Sequence, residues 1–251
     1  VGRMLVRTDY WTLRYPVVEI RLSSIGKEQS MKKSIAVVVS SLALVGPATA
    51  GITVPGTSDM WLAGMPAGST ASFEDSAPGQ SPVLVPVVAG TTLSFTVTGM
   101  VSNGPCCALV GPDGNDLTGH SSGDENGIAN VASPINALMG VFLDDSAPNL
   151  SPTPGALDFS AGGLGTSFLS LSPGLKQVFF IGDGRTASFV TQTFLVPAGA
   201  TRLFLGTMDG YGWWNNLGSY DVTVAVPEPE TYAMLLAGLG ALGMARRRRG
   251  G

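Results

Sequence analysis

Glycine and proline interrupt nearly every candidate helix between Gly51 and Val226. No window of about 12 residues in this stretch keeps apolar side chains at the i, i+3, i+4 spacing of an amphipathic helix. What remains are short apolar or alternating runs bounded by turn residues, a pattern that indicates β-strands. The predicted strands are Ser81 to Val88, Thr91 to Gly99, Ala137 to Leu143, Gln177 to Ile181, Ser188 to Val196, Arg202 to Met208 and Ser219 to Val226.

The number and pattern of these short strands predict the fold class. In the last strand Tyr220, Val222 and Val224 fall on one face and polar residues on the other. Many short strands separated by turns predict an all-β fold, a single-domain antiparallel β-sandwich of jelly-roll-like form spanning residues 51–226. Two long irregular stretches interrupt it: we expect residues 111–133 to form the rim of a binding site and residues 144–174 to be mobile surface.

Charge is divided unevenly along the chain. Between Gly51 and Val226 there are thirteen acidic residues and three basic ones, whereas the other eleven bases lie in the two ends. An acidic body excludes nucleic acid as a partner, because phosphates require a basic surface. It fits bound divalent cations or an extracellular setting.

The segment of residues 31–50 has the parts of a secretory signal peptide in order. A basic start at Met31-Lys32-Lys33 precedes the apolar run Ile35 to Val45 and an A-x-A cleavage site that ends at Ala50. Because such a signal normally begins a protein, we expect residues 1–30 to be a mis-assigned upstream extension that is not translated. The alternative is an unusually long basic region before the apolar run.

The other end, residues 227–251, also has three parts. Pro227-Glu228-Pro229 precedes a mostly apolar segment of fourteen residues, Tyr232 to Ala245, and then the four bases Arg246, Arg247, Arg248 and Arg249. This tail resembles the PEP-CTERM sorting signal that membrane-embedded exosortases recognise in exopolysaccharide-producing Gram-negative bacteria. The apolar segment, expected as a short hydrophobic helix, falls below the about 20 residues of a full membrane span, and the arginines favour the cytoplasmic side.

The resemblance of the tail implies a partner and a location. The partner is an exosortase, and the tail anchors the chain transiently in the inner membrane before the body reaches the cell surface or extracellular matrix. The alternative is a tail anchor that is never cut.

The loop from Asp209 to Tyr220 combines oxygen ligands with large aromatic side chains. The carboxylate of Asp209 and the amides of Asn215 and Asn216 suit a hard cation such as calcium, which prefers oxygen ligands. Trp213 and Trp214 offer flat faces on which a sugar can stack. The alternative for these tryptophans is one buried side chain and one incidental side chain.

Motifs that follow one another within residues 81–226 strengthen this interpretation. They are the turn Gly99-Met100-Val101-Ser102-Asn103-Gly104-Pro105, the run Phe194 to Ala200 and the loop that begins at Asp209. Together they resemble the bacterial calcium-dependent galactophilic lectins, small β-sandwiches in which calcium binds two sugar hydroxyls directly. The family turn reads Gly-x-x-Ser-Tyr-Gly-Pro and donates a main-chain carbonyl, which the change to Asn103 preserves.

The resemblance implies roles for particular residues. The calcium ligands are Asp209, Asn215, Asn216, a main-chain carbonyl of the turn at Asn103 and a carbonyl near Gly212. This chain has one residue fewer than the family between its Asp and the Asn-Asn pair. His120 lies roughly where the family has a sugar-contacting histidine, and Trp213 and Trp214 are additions to the family pattern that could flank the ligand.

Two further motifs do not have the context that their chemistry requires. Gly119-His120-Ser121-Ser122-Gly123 matches the G-x-S-x-G elbow of hydrolases, but it lacks the strand before and helix after it, and His120 is the sole histidine. Asp113, Asn115 and Asp116 begin like an EF-hand loop, yet Leu117 occupies the fifth position. We therefore expect no enzyme, with a hydrolase as the minor alternative, and no EF-hand.

Cys106 and Cys107 are the only cysteines and are neighbours in the sequence. A vicinal disulfide, two thiols and an intermolecular bond all remain open. We expect a small buried or redox-inert pair.

The sequence thus predicts an exported surface or matrix protein that binds calcium and, through it, a carbohydrate of galactose type or an exopolysaccharide. The alternative is a structural protein of the exopolysaccharide or biofilm matrix without sugar recognition.

Overall fold

A computed structural model describes residues 51–72 and 74–226. The expected signal peptide, the extension before it and the sorting tail with its hydrophobic segment lie outside the described residues. Within the described part, no helix is long and apolar enough to cross a membrane. Helical structure there is limited to single 3-10 turns at Met60–Leu62, Pro148–Leu150 and Trp213–Asn215.

Strands supply the architecture of the described residues. They are β1 (Ile52–Pro55), β2 (Thr70–Ala71), β3 (Asp75–Ser76), β4 (Val83–Pro86), β5 (Thr92–Ser102), β6 (Leu117–Gly119), β7 (Val131–Pro134), β8 (Leu138–Leu143), β9 (Leu157–Asp158), β10 (Ser170–Leu171), β11 (Val178–Phe180), β12 (Thr193–Leu195), β13 (Arg202–Thr207) and β14 (Leu217–Ala225).

Two main sheets carry most of these strands. One has the order β1-β14-β5-β12-β10 and the other the order β11-β8-β13-β4. Pairing is antiparallel except between β10 and β12 in the first sheet and between β7 and β9 in a smaller sheet, β6-β7-β9. The prediction of an all-β, sandwich-like fold is confirmed.

The hydrophobic core draws on both main sheets. The rings of Phe179 on β11 and Phe194 on β12 lie 5.6 Å apart between centroids and join the two sheets. Every residue of β8 is buried, which explains its continuous apolar run, because a strand covered on both faces needs no alternation. In β14 the alternation predicts the buried face correctly, since Tyr220 and Val222 are buried and Asp221 between them is exposed.

Some predicted boundaries differ from the structure. The strand predicted from Ser188 to Val196 is shorter in the structure and comprises only β12 (Thr193–Leu195). The chain turns before it at Phe189, where φ is +62°. The edge strand β1 was not predicted, and it pairs Ile52 with Val222 of β14. The stretch expected as mobile surface contains β9 and β10, and the Lys176 ammonium donates to the main-chain carbonyl of Ser151 at 3.0 Å.

The side chain of Tyr220 links β14 by hydrogen bonds to loop residues at one end of the sandwich. Its hydroxyl donates to the carbonyl of Asn136 at 2.7 Å and lies 3.1 Å from the carbonyl of Gly111. Burial raises the pKa of the Tyr220 phenol, so it keeps the proton that it donates. The Asn136 side chain in turn donates to Oδ1 of Asn103 at 3.3 Å, which links this end of β14 to the turn after β5.

Candidate functional site

The loop predicted as the binding site connects β13 to β14. Gly212 adopts a left-handed conformation, φ +75°, immediately before the 3-10 turn Trp213–Asn215. The carboxylate of Asp75 on β3 accepts the main-chain N–H groups of Trp213 and Trp214, each at 2.8 Å. The loop is therefore held from a distant strand, and its shape does not depend on local turn residues alone.

Asp209 begins this loop and is almost fully buried, with 5% of its surface exposed. Its Oδ1 accepts the Gly210 N–H at 2.6 Å. Burial raises the pKa of Asp209, and hydrogen bonds from the Asn216 side chain and from the backbone of Gly210 and Tyr211 offset part of the effect. A bound cation would stabilise this desolvated carboxylate in its ionised form.

The two amides near the end of the loop have oxygens without partners. Asn216 donates from Nδ2 to the carbonyl of Gly56 at 3.1 Å. The Oδ1 atoms of Asn215 and Asn216 are both buried and accept no hydrogen bond. A buried acceptor without a partner costs about 1–3 kcal/mol, and a hard cation can satisfy it because calcium binds amide oxygens. Amide oxygens without partners are among the ligands that calcium accepts.

The turn after β5, which contains Asn103, approaches the side chain of Asn215 at Gly104. A Cβ added to Gly104 would lie 3.2 Å from Oδ1 of Asn215, so the turn that contains Asn103 approaches the loop. The Gly212 carbonyl accepts the Asn215 N–H at 3.4 Å and is thus engaged in the 3-10 turn. In the described ranges, no cluster of three His, Cys, Asp or Glu side chains could hold a metal, so a cation here requires amide and main-chain oxygens.

His120 does not lie at the surface as a sugar contact. Its ring stacks on Trp61 at 3.8 Å between centroids and is 3% exposed. Nδ1 donates to the Gly123 carbonyl at 2.8 Å, since a carbonyl can only accept, and Nε2 therefore accepts the Ser72 hydroxyl at 2.7 Å. Burial lowers the pKa of His120, which keeps this tautomer neutral. The expected sugar contact does not fit this geometry.

The two tryptophans separate into one core residue and one surface residue. Trp213 is fully buried and donates from its indole N–H to the Thr207 carbonyl at 2.9 Å. Trp214 is 53% exposed. The expectation that both flank a ligand is therefore wrong for Trp213, because the core needs its large side chain.

The motif that resembles a hydrolase elbow packs against the candidate loop. The Ser121 hydroxyl donates to the Gly210 carbonyl at 2.9 Å, and its N–H donates to the same oxygen. His120 directs its ring at Ser72 instead of Ser121. This part of residues 111–133 thus lies beside the loop that begins at Asp209.

A pocket of about 400 Å³ opens beside the loop. The Thr118 hydroxyl on its wall would lie 3.6 Å from a Cβ on Gly210. Amide and carboxylate groups share the lining with aliphatic side chains, a mixture that suits a sugar ring with its polar hydroxyls and apolar face. The lining residues include Asn103, Cys107, Asn115, Asp116, Leu117 and Ile135.

Sequence reasoning missed a set of buried polar residues beneath the loop. Asp59 is fully buried, accepts the Trp61 N–H at 2.8 Å with Oδ1 and leaves Oδ2 without a partner. Burial raises its pKa to about 8. Ser72, at φ +48°, and Asp75 complete the set. An acidic residue directly before Met60-Trp61-Leu62 was the available signal, since Asp commonly caps a helical turn.

Comparison with known proteins bears on the tail of the chain. Residues 225–249 match the PEP-CTERM protein-sorting motif. No curated protein and no solved structure gives a significant match, so the lectin resemblance of the body finds no support there. The chain therefore carries a PEP-CTERM sorting signal, which marks it for export, transient membrane anchoring and processing by an exosortase.

Proposed function

We propose that this exported protein binds calcium at the end of its sandwich and, with calcium in place, binds a carbohydrate of galactose type or an exopolysaccharide. Asp209, Asn215 and Asn216 supply side-chain oxygens for the ion. The turn at Asn103 and the backbone near Gly212 supply carbonyl oxygens. The protein binds its ligand and does not catalyse a reaction on it.

The observation that carries the proposal is the pair of buried amide oxygens, Oδ1 of Asn215 and of Asn216, that have no partner. Asn216 contacts the desolvated carboxylate of Asp209, whose pKa is raised by burial. Oxygens without protons and a carboxylate removed from water favour a cation, because a positive charge satisfies all three groups. The excess of acidic residues between Gly51 and Val226 also favours binding of a cation.

Carbohydrate recognition is supported by the surface around these oxygens. Trp214 and Tyr211 expose large aromatic side chains in the same loop, 53% and 68% exposed. The neighbouring pocket combines polar and aliphatic groups. Calcium accepts up to about eight oxygen ligands, so sugar hydroxyls can complete a shell that the protein leaves open.

Calorimetric titration of calcium into the exported protein tests the ion site. We expect wild type to bind calcium and Asp209→Asn to bind it at least tenfold more weakly, because the substitution removes the only charge in the proposed ligand set. Asp221→Asn is the matched control: Asp221 is an exposed acid on β14 whose Oδ1 accepts the Thr53 hydroxyl. Equal calcium affinity in all three proteins would show that Asp209 is not a ligand and would rule out the proposed site.

A structural matrix protein is the second candidate, and the burial of His120 and Trp213 favours it. Two residues expected to touch the ligand instead support the fold. Under this alternative the protein binds calcium for stability, or not at all, and binds no sugar.

A further inference from the structure

The two neighbouring cysteines are exposed, so of the expected buried or redox-inert pair the buried alternative is wrong. Their Sγ atoms lie 3.1 Å apart in a hydrogen-bonded contact. Both thiols are exposed and in contact with each other. An oxidant in solution can therefore react with either sulfur, and the other sulfur can then react with the oxidised one. Exposure to solvent and a second cysteine in contact are two features of redox-active thiols.

The loop that holds the thiols is closed at its base. Val101 and Val110 exchange two main-chain hydrogen bonds, at 3.0 and 2.7 Å. Within the loop the Cys107 N–H donates to the Gly104 carbonyl at 3.2 Å, which places the cysteines in a tight turn. Gly104 has φ +142°, a backbone conformation that favours glycine. The turn therefore holds the backbone of the two neighbouring cysteines in one conformation.

We propose that Cys106 and Cys107 form a reversible redox site that closes to a vicinal disulfide in the exported protein. Export delivers the chain to a compartment where disulfides form and persist. Neighbouring Cα atoms lie about 3.8 Å apart, less than the about 4.4–6.8 Å usual across a disulfide. The ring is therefore strained, and strained exposed disulfides are the labile, regulatory ones.

The oxidant is a low-molecular-weight or protein disulfide, and the exchange balances in two steps. One of the two cysteine thiolates attacks one sulfur of the oxidant, forms a mixed disulfide and expels one thiolate. The other cysteine then loses its proton and attacks the first protein sulfur, which closes the ring and expels the second thiolate. Two protein thiols and one disulfide become one protein disulfide and two thiols.

The contact between the sulfurs makes the Cys107 thiol less acidic. The pKa of the Cys107 thiol is raised, first by its hydrogen bond with Cys106 and then by burial and the charges of Cys106 and Asp209. The hydrogen bond between the two sulfurs can run in either direction, so either sulfur can make the first attack.

The redox pair lies beside the proposed ligand site. Cys107 lines the pocket together with Asn103. A Cβ on Gly104 would lie 3.2 Å from Oδ1 of Asn215 and 4.0 Å from Sγ of Cys106. Closure of the ring therefore reshapes a turn in contact with both the pocket and Asn215.

The test exposes the exported full-length protein to oxidised glutathione, blocks free thiols by alkylation and measures the mass of the peptide that contains both cysteines. We expect an intramolecular disulfide that excess reduced glutathione reopens. Cys106→Ser and Cys107→Ser should each stop at the mixed disulfide with glutathione. The readout involves neither calcium nor sugar, so it stands or fails separately from the proposed function.

Three results would overturn the proposal. They are two alkylated cysteines after treatment with excess oxidant, a disulfide that joins two chains, and a vicinal disulfide that resists excess reduced glutathione and is thus a permanent structural bond.

Discussion

The carboxylate of Asp75 accepts the main-chain N–H of Trp213 at 2.8 Å, although the two residues lie 138 positions apart. The second oxygen accepts the N–H of Trp214. This one side chain from β3 thus satisfies the first two N–H groups of the 3-10 turn and fixes the loop that carries the candidate ligands.

Removal of this carboxylate should loosen the loop and destabilise the fold. We expect Asp75→Ala to lower the free energy of unfolding by about 2 kcal/mol, because it leaves a buried N–H without an acceptor. Asp75→Asn should lose less, since one oxygen remains. Denaturant unfolding measures both, with Glu74→Gln as the exposed neighbouring control. A loss for Asp75→Ala no larger than for the control would show that the two hydrogen bonds do not hold the loop.

The two tryptophans should respond in opposite ways to the same substitution. Trp213→Ala creates a cavity in the core and should lower the free energy of unfolding by about 3–5 kcal/mol. Trp214→Ala should change stability little, because half of the side chain is already exposed. It should weaken sugar binding roughly threefold to tenfold through lost stacking. Unchanged sugar affinity in Trp214→Ala would exclude Trp214 from the ligand site.

Stability should fall as the pH rises from 6.5 to 8 when calcium is chelated. Burial raises the pKa of Asp59 to about 8 from the ordinary 3.8. In this window the unfolded chain has already released the proton that the folded chain still holds, so rising pH favours unfolding. The contribution is fully present below about pH 4 and is lost as the pH passes through 8.

The loss between pH 6.5 and 8 should be about 1–2 kcal/mol. His120 contributes little there, because its lowered pKa keeps it neutral in the fold and its ordinary value is 6.5. Asp59→Asn keeps an oxygen for the Trp61 N–H and should flatten the profile. A profile equally steep in Asp59→Asn would assign the slope to another group.

The main strands could be predicted because their apolar residues follow a local pattern in the sequence. β5, β8, β13 and β14 all contain alternating or continuous apolar runs, and turn residues mark their ends. β2 and β3 have two residues each, too few to show a period. The edge strand β1 depends on its pairing with β14 at the other end of the body, which no local pattern reveals.

The candidate site likewise contains residues that the local sequence reveals and residues whose position depends on distant segments. Asp209, Asn215 and Asn216 could be proposed as a group because they are close together in the sequence. The burial of His120 and Trp213 could not, since it results from Trp61, Ser72 and Asp75 in a distant segment. A histidine or tryptophan in a polar loop has the same local sequence whether the distant segment covers it or not.

The most direct test of the central claim is sugar binding by the exported protein, measured calorimetrically with galactose-type sugars and exopolysaccharide in calcium and again in excess chelator. We predict binding in calcium, none in chelator, and at least tenfold weaker binding in calcium for Asp209→Asn. Sugar binding of equal strength in chelator, or calcium binding without any sugar binding, would contradict the account.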